Sequence, residues 1–150
     1  MLARAIDDFK KVNDTYGHQS GDQVLIEFVD SIKQSIRQDL DWIARYGGEE
    51  FLIVLPETDP EGACILAERL RKSISKRKFI FQEKVIRITC SFGISGFDSA
   101  TFDKNISSDS LINIADKYLY QCKLEGRNRV KAGYVDKAQS LKFEDKRLIS

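Results

Sequence analysis

The run Arg45-Tyr46-Gly47-Gly48-Glu49-Glu50-Phe51 restricts the architecture of this chain more than any other stretch. Apolar segments flank it, Trp42-Ile43-Ala44 before and Phe51-Leu52-Ile53-Val54-Leu55 after. A Gly-Gly pair between two strand-like segments predicts a tight hairpin, because glycine tolerates the positive φ that such turns demand. The second arm is apolar at every position, which predicts a central strand covered on both faces. Two carboxylates then stand at the tip beside bare backbone, a combination that suits a phosphate ligand and a hard metal ion. Consecutive acids in a turn are also often simply solvated.

At 150 residues the chain has the length of one domain with a proper core. Lys and Arg number 24 against 23 Asp and Glu, for a net charge of +1. That balance argues against generic nucleic-acid binding, which favours a strong basic excess. No apolar run approaches the length of a membrane span, and no signal peptide is visible. Cys64, Cys90 and Cys122 are odd in number and lie in apolar patterns, which predicts buried thiols in a reducing, cytoplasmic compartment rather than a redox or metal role. The single histidine, His18, excludes a His-rich zinc site.

Along the chain, residues 1–5 ahead of Ile6 read as the end of a strand, 8–14 as a short helix, and 15–19 as a loop broken at Gly17. Ser20-Gly21-Asp22-Gln23 has capping-box spacing. Val24, Leu25, Phe28, Val29, Ile32 and Ile36 then recur at helical intervals, for a helix of about four to five turns with one buried face. Residues 41–46 and 51–55 are the hairpin arms. Asp59-Pro60-Glu61 opens the next helix with proline in its first turn, and Ala63, Leu66, Ala67, Leu70 and Ile74 supply its inner stripe. Ile86, Ile88, Cys90, Phe92 and Ile94 alternate with Arg87, Thr89, Ser91, Gly93 and Ser95, which predicts one strand whose small polar face lies under a ligand or near water. Residues 107–110 cap a helix to about Leu124, with Leu111, Ala115, Leu119 and Cys122 inward, and Gly126 ends it. Residues 128–132 read as a last strand ending near Gly133, and 134–150 as a tail, either an extra helix or partly disordered. The expectation is an α+β fold in which a central, mostly antiparallel sheet carries flanking helices. Residues 1–133 form the domain.

Four blocks in this order resemble the GGDEF family, the diguanylate cyclases, over positions 5 to 130. The first is Ile6-Asp7-Asp8-Phe9-Lys10-Lys11-Val12-Asn13-Asp14, similar to the family's D-x-D-x-F-K-x-x-N-D. The second is Thr15-Tyr16-Gly17-His18 followed by Gly21-Asp22. The third is the hairpin, in the GGEEF form. The fourth is Tyr120-Gln121-Cys122-Lys123-Leu124-Glu125-Gly126-Arg127-Asn128. The resemblance implies a fold similar to the nucleotidyl-cyclase and polymerase palm group. It also implies a reaction in which two GTP molecules become cyclic di-GMP with loss of two pyrophosphates. Phosphoryl transfer of that kind needs alignment, charge neutralisation and metal ions more than a covalent nucleophile. In the family one domain holds one GTP, so a second copy of the domain, face to face, is implied.

The resemblance also implies roles. Glu49 would bind Mg²⁺ (or Mn²⁺) and help activate the 3′-hydroxyl, with Glu50 beside it as a catalytic or a structural acid. Ile6 would lend its carbonyl to a metal. Gly47 and Gly48 would let backbone approach the nucleotide, and Phe9 and Lys10 would offer helix-start amides to phosphate. Asn13 and Asp22 would read guanine, a buried-polar contact that discriminates strongly, with Leu25 also on the substrate. Lys123 and Arg127, four apart, would hold the terminal phosphates. Each has a plainer reading: Asp22 as a first-turn acid on the helix dipole, Asn13-Asp14 as a helix end, and Lys123 with Arg127 as a solvated last turn. His18 reads as a loop-packing residue rather than a base.

Two departures stand out. The family places a metal-bridging aspartate two residues before Asp7, where this chain has Ala5, which has no ligand atom. Asp7 lies on the same strand face about 7 Å further along, too far to take over bonds of ~2.0–2.1 Å. A catalytically impaired domain is therefore expected, and the segment that precedes this strand in the family is expected to be missing. Many members also carry R-x-x-D before the hairpin, where product binds and inhibits. Here Asp41 is in place but Gln38 occupies the arginine position, with Arg37 one residue earlier and Arg69 matching a secondary arginine. The rival functions are a degenerate GTP-binding regulatory module and a cyclic di-GMP receptor. Neither nucleic acid nor membrane contact is expected.

Overall fold

The computed structural model describes residues 2–97 and 106–134, with backbone alone for residues 2–5. The expected tail from residue 135 onward lies outside the described residues. The elements run β1 (Leu2–Ile6), α1 (Phe9–Tyr16), α2 (His18–Lys33), β2 (Trp42–Gly47), β3 (Glu50–Val54), α3 (Pro60–Lys76), β4 (Phe79–Phe81), β5 (Lys84–Ile86), β6 (Cys90–Gly96), α4 (Ser108–Leu124) and β7 (Val130–Tyr134). The main sheet has the order β2-β3-β1-β6-β7. Its pairs are antiparallel except β6 with β7, which are parallel. A parallel pair needs a crossover, and α4 supplies it. The architecture is α+β with a mostly antiparallel sheet, and among the described residues no helix is long and apolar enough to cross a membrane.

Both faces of the sheet are covered. Phe51 and Ile53 of β3 join Phe92 and Ile94 of β6, Phe28 and Ile32 of α2, and Ala67, Leu70 and Ile74 of α3 in the main core. Leu52 points the other way and packs with Ala115 and Leu119 of α4. This division explains the uninterrupted apolar run of β3, since each neighbour along the strand meets a different layer. Two helix starts follow their sequence signals. Asp59 Oδ1 accepts from the Gly62 amide at 2.6 Å, with Pro60 opening α3, and Ser107 Oγ accepts from the Ser110 amide at 3.1 Å ahead of α4.

The structure corrects several expectations. α1 continues to Tyr16 and α2 already begins at His18, so only Gly17, at φ 89°, separates them. Ser20 is therefore not a cap: it is buried inside α2, and its hydroxyl donates to the Tyr16 carbonyl at 2.7 Å. The alternating run from Ile86 is not one strand. Ile86 ends β5, which pairs with β4 in a separate hairpin, and β6 begins only at Cys90. The small polar face of β6 does not meet ligand or water. Ser91 and Ser95 are buried, and a Cβ on Gly93 would lie 2.0 Å from the Ala115 carbonyl oxygen and 2.4 Å from the Leu119 nitrogen. Small residues here let α4 sit directly on the strand backbone. Ile114 rather than Leu111 joins the buried stripe of α4, and β7 extends through Tyr134.

Candidate functional site

The expected site residues lie on the start of α1, the α1–α2 junction, the β2–β3 hairpin and the end of α4. At the junction the Asn13 side chain lies against Gly21, where a Cβ would fall 1.9 Å from Asn13 Oδ1 and 3.2 Å from Phe9 Cζ. Glycine at 21 therefore makes room for the Asn13 amide, and the next residue is Asp22, exposed on α2. Folding thus sets Asn13 against the residue that precedes Asp22 on α2. Leu25, one turn further on, is buried and lines a groove with Val29, Ile43, Arg45 and Phe51 between α2 and the hairpin.

The hairpin turns at Gly48, whose φ is +48°. The register shifts between Arg45 and Gly47, and Arg45 Nε donates to the Gly48 carbonyl at 2.8 Å, which fixes the tip. No atom stands within 4 Å of a Cβ position on Gly47 or Gly48, so their backbone faces open space. The Ile6 amide donates to the Glu49 carbonyl at 3.3 Å, so these two expected metal-donor positions are adjacent. Glu50 Oε1 lies 3.2 Å from Lys123 Nζ, which ties the tip to α4. Asp116, two turns before Lys123 on the same helix, has its carboxyl held above the ordinary range by burial and by Glu50, with Lys123 opposing. Sequence reading missed Asp116, although its seven-residue spacing from Lys123 puts both on one face.

At the other end of the site, Gly126, Arg127 and Asn128 form a left-handed turn with φ of 104°, 62° and 45°. The Arg127 amide donates to the Cys122 carbonyl at 2.8 Å. The Arg127 side chain reaches back to α1, with Nε 3.2 Å from Asp8 Oδ1. Arg127 thereby joins Phe9 and Lys10 at the helix start, while Lys123 joins the hairpin.

Asp7 is the residue whose role sequence reading missed most. It is 6% exposed and its carboxylate accepts from Ser91 Oγ at 2.7 Å, Thr89 Oγ1 at 2.8 Å and the Asn128 amide at 3.0 Å. The donor set is thus short of carboxylates. Among the described residues no three His, Cys, Asp or Glu side chains are grouped to hold a metal ion. Ile6 and Glu49 are joined through their backbones, Asp7 is engaged by three donors, and position 5 is alanine. These residues do not fit a site for two hard divalent ions, each of which asks for about six oxygens.

Arg37, Asp41 and Arg69 lie apart from that cluster and are each engaged within the chain. Arg37 donates from Nε and Nη2 to the buried Asp41 carboxylate, and from Nη2 to the Pro56 carbonyl and Thr58 Oγ1, both at 2.7 Å. Burial pushes the Asp41 carboxyl up, but the hydrogen bonds from Arg37 more than offset this and hold it below its ordinary value. Arg69 Nη2 donates to the Ser35 carbonyl at 2.8 Å.

Known proteins resemble this chain in sequence and fold. Residues 1–129 match the family described as "Diguanylate cyclase, GGDEF domain". Diguanylate cyclase A of Treponema denticola is 46% identical over 130 residues, which cover 87% of this chain and 34% of that protein. The active GGEEF domain of a diguanylate cyclase from Vibrio cholerae is 34% identical with a TM-score of 0.75, covering 87% of this chain and 80% of that one. The GGDEF domain of DgcB from Caulobacter crescentus, solved in complex with c-di-GMP, is 34% identical with a TM-score of 0.78, covering 87% and 75%. The chain spans about a third of the length of the Treponema relative, at 34%. With its four sequence blocks folded into one cluster and these relatives beside it, the chain belongs to the GGDEF family of diguanylate cyclase domains.

Proposed function

We propose that this domain binds GTP in the cluster around α1 and the hairpin, and that its capacity to condense two GTP into cyclic di-GMP is strongly reduced by Ala5. The observation that carries the GTP reading is the placement of two kinds of recognition on one short helix. Asn13, packed on Gly21 beside Asp22, stands at one end, and Arg127 stands at the start with the helix amides. A guanine face and a phosphate pole belong to one nucleotide. Lys123 beside the hairpin adds a second cation for the phosphates. The product would require a second copy of the domain, so a homodimer, transient or stable, is part of the same reading. So is a cytoplasmic setting, and any turnover that remains would depend on Mg²⁺ or Mn²⁺ held by fewer protein ligands than two such ions ask for.

The impairment follows from the donors. Asp7 cannot swing out to replace a lost ligand without leaving Thr89, Ser91 and the Asn128 amide unsatisfied. This favours a second reading, a GTP-binding regulatory module that has lost turnover. Binding of cyclic di-GMP at Arg37, Asp41 and Arg69 would require the Arg37–Asp41 fork to open, so we place the receptor role last. Turnover of GTP with Mg²⁺, with product identified by mass spectrometry, tests the reading on the chain and on Ala5→Asp. Cyclic di-GMP from Ala5→Asp alone, at least about a hundredfold above the parent chain, is the expected result. Equal turnover from both would overturn the argument from Ala5, and product from neither, with GTP still bound, would favour the regulatory module.

A further inference from the structure

We propose that Asp8 is a built-in stand-in for a ligand phosphate: its carboxylate occupies Arg127 in the free domain and yields that arginine to the triphosphate on binding. The inference rests on the GTP-binding reading above and adds a residue that tunes affinity. Asp8 precedes α1 in the position where an aspartate ordinarily accepts from a first-turn amide. It does not do so. Its φ of 53° and ψ of 33° are left-handed, and its side chain makes no capping hydrogen bond. The carboxylate turns instead to Arg127, with Oδ1 3.2 Å from Nε. The anion therefore sits at the positive end of a helix and on a guanidinium at once, the two features that a bound phosphate would use.

The two halves of this contact are held to different degrees. Below it, Asp7 accepts from the Asn128 amide at 3.0 Å and the Arg127 amide bonds the Cys122 carbonyl at 2.8 Å. The adjacent pair Asp7-Asp8 thus grips the adjacent pair Arg127-Asn128, one contact through a buried carboxylate and the other at the surface. The left-handed turn that aims Arg127 is fixed, whereas the side chains of Arg127 and Asp8 are 43% and 60% exposed. An ion pair in that setting is weak. Exchanging it for a phosphate of higher charge, which accepts both arms of a guanidinium, is a favourable substitution. Asp8 keeps the arginine aimed and neutralised while the site is empty, and sets how tightly a triphosphate must bind to displace it.

Calorimetric titration of the 150-residue chain with the α,β-methylene analogue of GTP and with GMP, in Mg²⁺, tests this. Asp8→Asn is expected to tighten the triphosphate analogue about two- to five-fold, the range of an exposed ion pair removed from competition, and to leave GMP within twofold. In an Arg127→Ala background the same change is expected to bring no gain. Unchanged or weaker binding of the analogue by Asp8→Asn would overturn the proposal. So would an equal gain in the Arg127→Ala background, which would reduce Asp8 to general charge repulsion. If the parent chain binds neither nucleotide, the GTP-binding reading itself falls and takes this one with it. Binding by the parent with an unmoved Asp8→Asn removes the stand-in alone.

Discussion

Arg37 and Asp41 meet at the exit of α2 through a fork on a carboxylate whose side chain is 3% exposed, and the same guanidinium also holds Pro56 and Thr58. Arg127 and Asp8 meet at the start of α1 through one contact at 3.2 Å, with both side chains open to solvent. The residue types are the same, and both pairs fall in stretches for which the family resemblance implies ligands. The difference lies in saturation. An arginine that satisfies a buried carboxylate is part of the scaffold, because withdrawing it leaves a desolvated charge behind. An arginine resting on an exposed carboxylate gives up little when a better anion arrives. The first pair closes the α2–β2 connection against the end of β3, and the second is free to work.

The sharpest way to break this comparison is to remove the anchor beneath the exposed pair. Asp7→Ala leaves the Thr89 and Ser91 hydroxyls and the Asn128 amide without their acceptor, and is expected to cost about 2–4 kcal/mol of stability in urea unfolding. A loss below about 1 kcal/mol would mean that the Arg127 turn holds itself. Asp41→Asn comes next, at about 1–3 kcal/mol near pH 7, because hydrogen bonds to a charged group are the strong kind. Its pH dependence carries a sign. The Asp41 carboxyl is held below its ordinary value, so the stability it contributes is present above the unfolded-chain pKa of about 4 and fades as pH falls through the lower folded value. The gap between parent and Asp41→Asn should be widest at neutral pH and narrow as pH falls below the unfolded-chain value. A gap that stays constant would show that the charge on Asp41 is not what matters. Arg127→Ala is expected to shift stability by no more than about 0.5 kcal/mol while weakening triphosphate binding at least tenfold. Stability loss on the scale of Asp41→Asn would place Arg127 with the scaffold and erase the distinction.

Much of this was legible in the chain because the signals are local. The glycine pair, the apolar run of β3 and the caps at Asp59 and Ser107 each act within a few residues of the structure they specify. The β4–β5 hairpin escaped because its turn places Gln82 and Glu83 at φ of 46° and 64°, with neither the glycine nor the asparagine that marks such turns. The break between Ile86 and Cys90 escaped because Ile88 is buried and keeps the alternation going after the chain has left β5. Ser91 and Gly93 read as a small face under a ligand or near water, but their size serves the close approach of α4 instead. Asp7 was out of reach for a different reason. Its acceptors' partners are 82, 84 and 121 residues away, and nothing near Asp7 announces them.

That last separation bears on how the domain is made. The strand that leads into Asp7, β1, is the third of five in the sheet and flanked on both sides, yet it precedes both neighbours in the chain, and the second of them, β6, begins only at Cys90. The Asn128 amide that fastens to Asp7 arrives later still, 121 residues behind it. A growing chain therefore carries β1 through translation while that strand waits for its partners, and any product that stops before Asn128 lacks the contact that fixes the turn aiming Arg127. Termination before that residue yields a polypeptide that cannot present Arg127 at the start of α1, rather than a weaker copy of the domain.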